Sequence, residues 1–182
     1  VLKSGPHTLG FLMASVGVGA LVGAAIMASR TSVRGLLRYI PFAAALFGAG
    51  LAAFSFSRLL PLSLFLMAVS GVGMMLHMNS CNAVLQTIAD EDKRGRIMSF
   101  YTIAFRGMLP FGSLMAGSFA AWVGAPHTLL LGGLCCMLGA LLFARQLPEI
   151  RAAIRPIYEQ QGIVPPRAIS PEASRLVPPD QG

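Results

Sequence analysis

Charged residues are scarce in this 182-residue chain. Aspartate, glutamate, lysine and arginine make up 12% of it, whereas hydrophobic residues make up 55% and the mean hydropathy is +0.69. A soluble globular domain carries roughly 25% charged residues, so about half of the charge that a hydrated surface needs is missing. A chain of this composition is solvated by lipid, and the sequence predicts an integral membrane protein.

Signatures of several other protein classes are missing as well. The cations cluster between apolar runs without interleaved aromatic residues, so the net charge of +7 does not indicate nucleic-acid binding. Cys81, Cys135 and Cys136 lie inside apolar runs without a CxxC pattern, so neither disulfides nor a zinc site are expected. HExxH, GxSxG and Walker sequences are lacking. We therefore expect no metal, no cofactor, no catalytic residue and no enzymatic activity.

Long uncharged runs predict where the chain crosses the bilayer. A hydrocarbon core of about 30 Å needs about 20 apolar helical residues, and charged residues mark where each crossing ends. The runs lack the period-two alternation of strands, and an open sheet cannot satisfy its backbone in lipid. We predict an all-α membrane bundle over residues 1–145, with Pro41, Pro61 and Pro126 at or just before helix starts. The five predicted spans are residues 9–29, 39–56, 61–83, 97–119 and 128–144.

Positive charge is concentrated on one side of this predicted topology. Cations cluster after spans one, three and five, while the opposite side has only Lys3 and Arg58. Because cytoplasmic loops carry the excess of lysine and arginine, the C-terminus is predicted to be cytoplasmic. Residues 146–182 contain seven of the twelve prolines, which predicts a largely disordered tail that begins as a short interfacial helix over 146–161. The clustered cations are Arg30, Arg34, Arg38, Lys93, Arg94, Arg96, Arg145, Arg151 and Arg155.

Small residues recur four positions apart inside two of the spans. Gly19 and Gly23 form a GxxxG pair in span one, and Ser113 and Gly117 repeat the spacing in span four. Such pairs let helix backbones approach closely, although glycine and alanine are common in membrane helices generally. Taken together, they predict a tightly packed bundle.

Arg106 is the one charged residue inside a predicted span. It follows Arg96 by ten positions, about 15 Å along a helix, so it is expected near the membrane centre. A cation there costs at least a few kcal/mol unless it faces protein, water or a partner. Two interpretations stay open: Arg106 lines a substrate path, or it snorkels or bonds to backbone carbonyls near a helix kink at Pro110. No acidic residue lies inside a span, so an acidic partner would come from elsewhere.

Polar residues in and just after span three share one side of the helix. Asn79, Asn82 and Gln86 lie within about 60° of each other on a helical wheel. Such a stripe either lines a water-filled path or bonds to a neighbouring helix, and both interpretations stay open. His77 lies on another side. Because no carboxylate accompanies it, a proton relay is the weaker alternative for His77.

Two stretches together resemble a known family. The sequence DKRGRIMSFYT occupies residues 92–102, and FRGMLPFGS follows at 105–113. They resemble the entry into the eleventh helix in the major facilitator superfamily, in its enterobactin-exporter-like branch of transmembrane secretion effectors. Asn82, Leu85 and Gln86 resemble the end of the tenth helix, and the resemblance covers about residues 9–147.

The resemblance implies that the five spans match helices eight to twelve of a twelve-helix transporter, whose N-terminal half is missing from this chain. It implies a secondary transporter of the plasma (inner) membrane that exports a small molecule, such as a siderophore or drug, by alternating access. Ser32 stands where the superfamily's loop between helices eight and nine has an acid, so the resemblance does not carry a latch role to that loop. The residues that it assigns to a cytoplasmic loop motif are Asp92, Arg94, Gly95 and Arg96.

The expected partners are the lipid bilayer, a small-molecule substrate and the N-terminal half of the same transporter. Three other interpretations remain at this point. The chain could belong to a lipid or multidrug flippase of the same fold, to a membrane enzyme whose catalytic residues lie outside this sequence, or to a non-transporting five-span assembly protein.

Overall fold

The computed structural model describes residues 6–30, 35–160 and 162–164. Within these ranges the regular elements are five α-helices, which confirms the predicted all-α membrane fold. Residues 31–34, on which the prediction for Ser32 depends, lie outside the described ranges. The helices are α1 (Pro6–Ala28), α2 (Leu36–Phe56), α3 (Leu60–Ile88), α4 (Glu91–Val123) and α5 (Ala125–Gln160).

Prolines locate two of the helix starts. Pro61 and Pro126 each occupy the second position of a helix, where the missing N–H would have no partner within the helix. Pro41 differs from the prediction, because α2 begins at Leu36 and Pro41 therefore lies inside the helix. Helix α4 continues through Pro110, and a kink at that residue stays a prediction.

Helix α5 extends further than the charge pattern indicates. It continues through Pro148 and Pro156 to Gln160, so residues 146–160 prolong the fifth helix rather than forming a separate interfacial one. Residues 165–182, the remainder of the predicted tail, lie outside the described ranges.

An apolar cluster explains why α5 stays helical beyond the predicted span. Leu36, Leu37 and Ile40 at the start of α2 are buried together with Val84 near the end of α3. The extension of α5 contributes a stripe of apolar side chains at helical spacing, and this stripe packs against the cluster. The side chains of the stripe are Leu147, Ile150 and Ile154.

Helix α3 is the centre of the bundle. Helix α1 packs along one side of α3, α2 packs along another, and α5 packs against α2. Helix α4 contacts mainly α5 and touches α3 only along a short stretch.

Glycines make the closest contacts between these helices. A Cβ atom at Gly19 would collide with the carbonyl oxygen of Ala68, so α1 and α3 touch backbone to backbone. A Cβ atom at Gly73 would lie 2.7 Å from the backbone nitrogen of Phe47 on α2. The close packing predicted from the glycine pair in α1 is therefore confirmed. Similar close approaches occur at Gly23, Gly48, Gly50, Gly71 and Gly133.

Helix α4 lacks this packing. None of its residues is buried, and a Cβ atom at Gly117 would meet no atom of another helix within 4 Å, so the predicted contact of the Ser113–Gly117 pair is not made among the described residues. By length and composition, α1, α2, α3 and α5 are apolar enough to cross a membrane, whereas α4 is not among these candidates. Its charged first turns and Arg106 lower the hydropathy of this helix.

Candidate substrate pathway

Arg106 lies near the middle of α4 with an exposed side chain. Within the described ranges it forms no ion pair or side-chain hydrogen bond. The preceding residue, Phe105, lines a cavity between α2, α3 and α5 and stacks on Tyr101 at a ring-centroid distance of 6.2 Å. Because successive helical residues differ by about 100°, Arg106 is turned away from that cavity.

The polar stripe on α3 continues the side of that helix which packs against α1. Ala68 and Val72, which contact the glycines of α1, precede Asn79, Asn82 and Gln86 at successive spacings of four, seven, three and four residues, which keep all five on one side of the helix. The two asparagines are half-buried and the glutamine is exposed. Their side chains form no hydrogen bond to another described residue. The interhelical bonding that a polar stripe can provide is thus not made within the described part of the bundle.

Arg106 and the stripe do not line one cavity. Gln86 borders a cavity of about 750 Å³ beside the connection between α3 and α4, and Arg94 borders the same space. Neither Arg106 nor the two asparagines belong to its lining. This cavity therefore does not join the predicted pathway residues into a single site.

The motif predicted for a cytoplasmic loop is helical. Only Ala89 and Asp90 connect α3 to α4, so the four motif residues belong to the first turns of α4. Three of them border one cavity of about 430 Å³, and the fourth borders the neighbouring larger cavity. The smaller cavity is bordered by Asp92, Gly95 and Arg96, and the larger one by Arg94.

Acidic residues explain why α4 begins at Glu91, ahead of the predicted span over residues 97–119. Asp90 occupies the N-cap position, and Glu91 and Asp92 lie in the first turn, where the positive end of the helix dipole favours negative charge. The Asp90 side chain makes no capping hydrogen bond. Its carboxylate lies 3.6 Å from Nζ of Lys93 instead.

An apolar cavity of about 670 Å³ lies between α2, α3 and α5, and the sequence did not predict it. The main polar side chain of its lining is His77, whose Nδ1 lies 3.1 Å from the carbonyl oxygen of Ile40. Nε2 of the same ring is 3.8 Å from Sγ of Cys81. His77 thus links α3 to α2, which favours the structural interpretation of this residue over a proton relay.

Comparison with family models decides the class of protein. The model for transmembrane secretion effectors matches residues 1–166 of the 182. The chain belongs to this family. Transmembrane secretion effectors are membrane transporters of the major facilitator type. Comparison with curated proteins and with solved structures gave no match.

The secretion-effector match includes the extension of α5, which ends at Gln160. Sequence patterns identify Arg38, Arg151 and Arg155 only as charges on one side of the membrane, whereas the structure brings them around one cavity. The sequence signal for this arrangement is the apolar stripe of the extension, because it predicts that Arg151 and Arg155, each next to a member of the stripe, are held against the bundle.

Proposed function

We propose that this chain forms helices eight to twelve of a twelve-helix exporter that moves a small molecule out of the cell by alternating access. Membership of the secretion-effector family supports the transporter class. The resemblance at residues 92–113 supports the numbering of the helices and the siderophore or drug as substrate class. The other helices of the transporter would cover the sides of α4 and α3 that the described residues leave open.

The environment of Arg106 carries this proposal. Its guanidinium is exposed on a helix with no buried residue and has no partner among the described side chains. An unpaired cation near the membrane centre, where the sequence predicts Arg106 to lie, costs at least a few kcal/mol. Arg106 therefore needs an anionic group on the substrate or an acid on further helices. The amides of Asn79 and Asn82, which bond to no other described residue, give α3 a polar side that further helices would cover.

Efflux by the full-length transporter tests the role of Arg106. Arg106→Ala and Arg106→Lys should insert normally and reduce efflux at least about tenfold, because lysine cannot reproduce the planar donor fork of arginine. A loss of about 1.4 kcal/mol of substrate or transition-state binding suffices for that effect. Arg58→Ala, which removes an exposed arginine from the connection between α2 and α3, is the matched control and should leave efflux unchanged. Full efflux by Arg106→Lys at equal expression would contradict the substrate-path role and indicate that Arg106 snorkels to the membrane interface.

A multidrug or lipid flippase of the same fold is the second candidate. The apolar cavity beside Phe105 favours it, because a largely apolar lining suits an amphipathic or lipid-like substrate better than a polar chelator. Cells expressing the full-length transporter should distinguish the two. Export of a hydrophobic dye or of labelled lipid without export of a siderophore would support the flippase.

We further propose that the C-terminus is cytoplasmic and that the membrane is the plasma (inner) membrane. The basic residues after α1, α3 and the apolar part of α5 support this orientation. In a background with the three cysteines replaced by serine, a cysteine at Arg94 or Arg151 should react only with reagent on the cytoplasmic side. A cysteine at Ala125 should react only from outside, and cytoplasmic labelling of Ala125 would reverse the orientation.

A further inference from the structure

A basic cavity of about 400 Å³ lies where α2 begins and α5 ends. Its charged lining consists of Arg38 on α2 with Arg151 and Arg155 on α5. None of the roles proposed for transport uses this cavity. Its lining is separate from that of the apolar cavity beside Phe105.

The extension of α5 builds one wall of the cavity. Arg151, Ile154, Arg155 and Tyr158 recur at spacings of one, three and four residues and so occupy one side of the helix. Ile154 packs against the apolar cluster at the start of α2, which holds this side against the bundle.

The chain then folds back over the cavity. The N–H groups of Ile163 and Val164 both donate to the carbonyl oxygen of Tyr158, at 2.9 and 3.3 Å. Gly162 has a φ of +67°, which a residue with a side chain rarely adopts and which permits this reversal. Val164 therefore joins the lining.

Positive charge in the cavity is only partly compensated. Arg155 is paired with Glu159 through its Nε at 2.7 Å. Arg38 and Arg151 have no acidic partner among the described residues. The first turn of α2 also borders the cavity, and its N-cap, Gly35, offers no side chain to cap the N–H groups there. The positive end of the α2 dipole adds to the field of the arginines.

The strongest indication of a ligand is the hydroxyl group of Tyr158. Tyr158 is 7% exposed and lines the cavity, yet its hydroxyl has no hydrogen-bond partner among the described residues. A buried hydroxyl without a partner costs about 1–3 kcal/mol, so such groups are normally bonded. This hydroxyl is shielded from solvent, and a change of the Tyr158 rotamer toward the cavity would let it donate a hydrogen bond to an anion held by the arginines.

We propose that this cavity binds an anion that carries a phosphate group, either the headgroup of an anionic lipid or a free phosphate. Guanidinium groups match phosphate oxygens through two parallel hydrogen bonds, and arginine is the side chain that most often recognises phosphate this way. Arg151 lies seven residues, about 10 Å, beyond the predicted end of the fifth span. The headgroup layer adds about 5–8 Å to each side of the hydrocarbon core, so Arg151 is expected at the outer edge of that layer.

Binding to the purified 182-residue chain in a neutral detergent tests the proposal. Short-chain phosphatidylglycerol in phosphate-free buffer should bind saturably, and phosphatidylcholine of the same chain length should bind at least about tenfold more weakly. Arg38→Gln and Arg151→Gln should each weaken phosphatidylglycerol binding about tenfold, which corresponds to about 1.4 kcal/mol. Tyr158→Phe should weaken it about threefold. Arg145→Gln is the matched control, because it removes the same charge from the same helix outside the cavity, and its effect should stay below twofold.

Two further results decide the source of the anion and the validity of the site. Inorganic phosphate that competes with phosphatidylglycerol at millimolar concentration would identify the cavity as open to free phosphate, whereas lack of competition would assign it to the lipid. Equal losses from Arg145→Gln and Arg151→Gln would overturn the proposal, because they would indicate attraction to the overall positive charge. Unchanged binding by Tyr158→Phe together with both arginine variants would overturn it as well. Tyr158→Phe tests the site without disturbing the fold, since it removes an unbonded hydroxyl and keeps the ring.

Discussion

Helices α1 and α4 carry the same spacing of small residues but meet different surroundings. Gly19 and Gly23 on α1 lie against the backbone of α3, whereas a Cβ atom at Gly117 on α4 would meet no described atom of another helix within 4 Å. Phe100 and Trp122 on α4 are 74% and 91% exposed. Small residues permit a close approach between helices but do not determine whether a partner is present. The packed layer of α1, α3, α2 and α5 is therefore expected to hold most of the stability of this chain.

Helices α1 and α4 also differ in charge. Helix α1 has no charged residue between Pro6 and Ala28, while α4 begins with two acids followed by three cations and carries Arg106 in its middle. A helix of the first kind is stable against lipid on all the sides that protein leaves free. A helix of the second kind needs a polar partner for part of its surface, which is consistent with the pathway role proposed for Arg106.

The largest expected effect is at the contact between α1 and α3. Gly19→Ala should destabilise the chain by about 3 kcal/mol, because the added methyl group collides with the Ala68 carbonyl and the two backbones must separate. The midpoint of thermal unfolding in detergent, followed by size-exclusion chromatography, should fall by roughly 6–12 °C. Gly17→Ala is the control on the same helix, since a Cβ atom at Gly17 would meet no described residue within 4 Å. Similar midpoints for the two variants would contradict the close packing of these helices.

A smaller effect is expected at the apolar cluster, and it extends the comparison to α4. Leu36 is 3% exposed. Leu36→Ala should lower the free energy of unfolding by about 2 kcal/mol, because the surrounding side chains cannot fill the cavity that the substitution leaves. Leu114 on α4 is 69% exposed, and Leu114→Ala should cost less than about 0.5 kcal/mol in this chain. Thermal unfolding of both variants in the same detergent measures the difference. An equal loss at Leu114 would mean that α4 is packed as firmly as the other helices.

The sequence predicts the helices well because the bilayer constrains them strongly. Runs without charge must be helical in lipid, and Pro61 and Pro126 give two of the starts accurately. The length of α5 is the instructive difference. Arg145 and Arg151 end the apolar run that can lie in hydrocarbon, but a charged residue does not end a helix. Tertiary packing of the apolar stripe keeps the chain helical to Gln160.

The candidate sites are less predictable, because they depend on which faces the helices present to each other. The spacing of Asn79, Asn82 and Gln86 gives a common face, but only the packing reveals that this face continues the contact with α1. The basic cavity requires Arg38 and Arg151 to meet, although 113 positions separate them. No local pattern contains that information.

The smallest change in stability is expected at the C-terminal tail, which follows the extension of α5. Deleting residues 165–182 should shift the unfolding midpoint by less than about 2 °C and leave insertion intact, because a proline-rich segment with few large apolar residues contributes few contacts. Deleting residues 146–182 is the contrasting variant, since it also removes Leu147, Ile150 and Ile154 from the cluster that buries the start of α2. That longer deletion should abolish monodisperse protein in detergent. A large loss from the shorter deletion would mean that the tail packs against the bundle, and a stable longer deletion would mean that the extension of α5 contributes nothing to the fold.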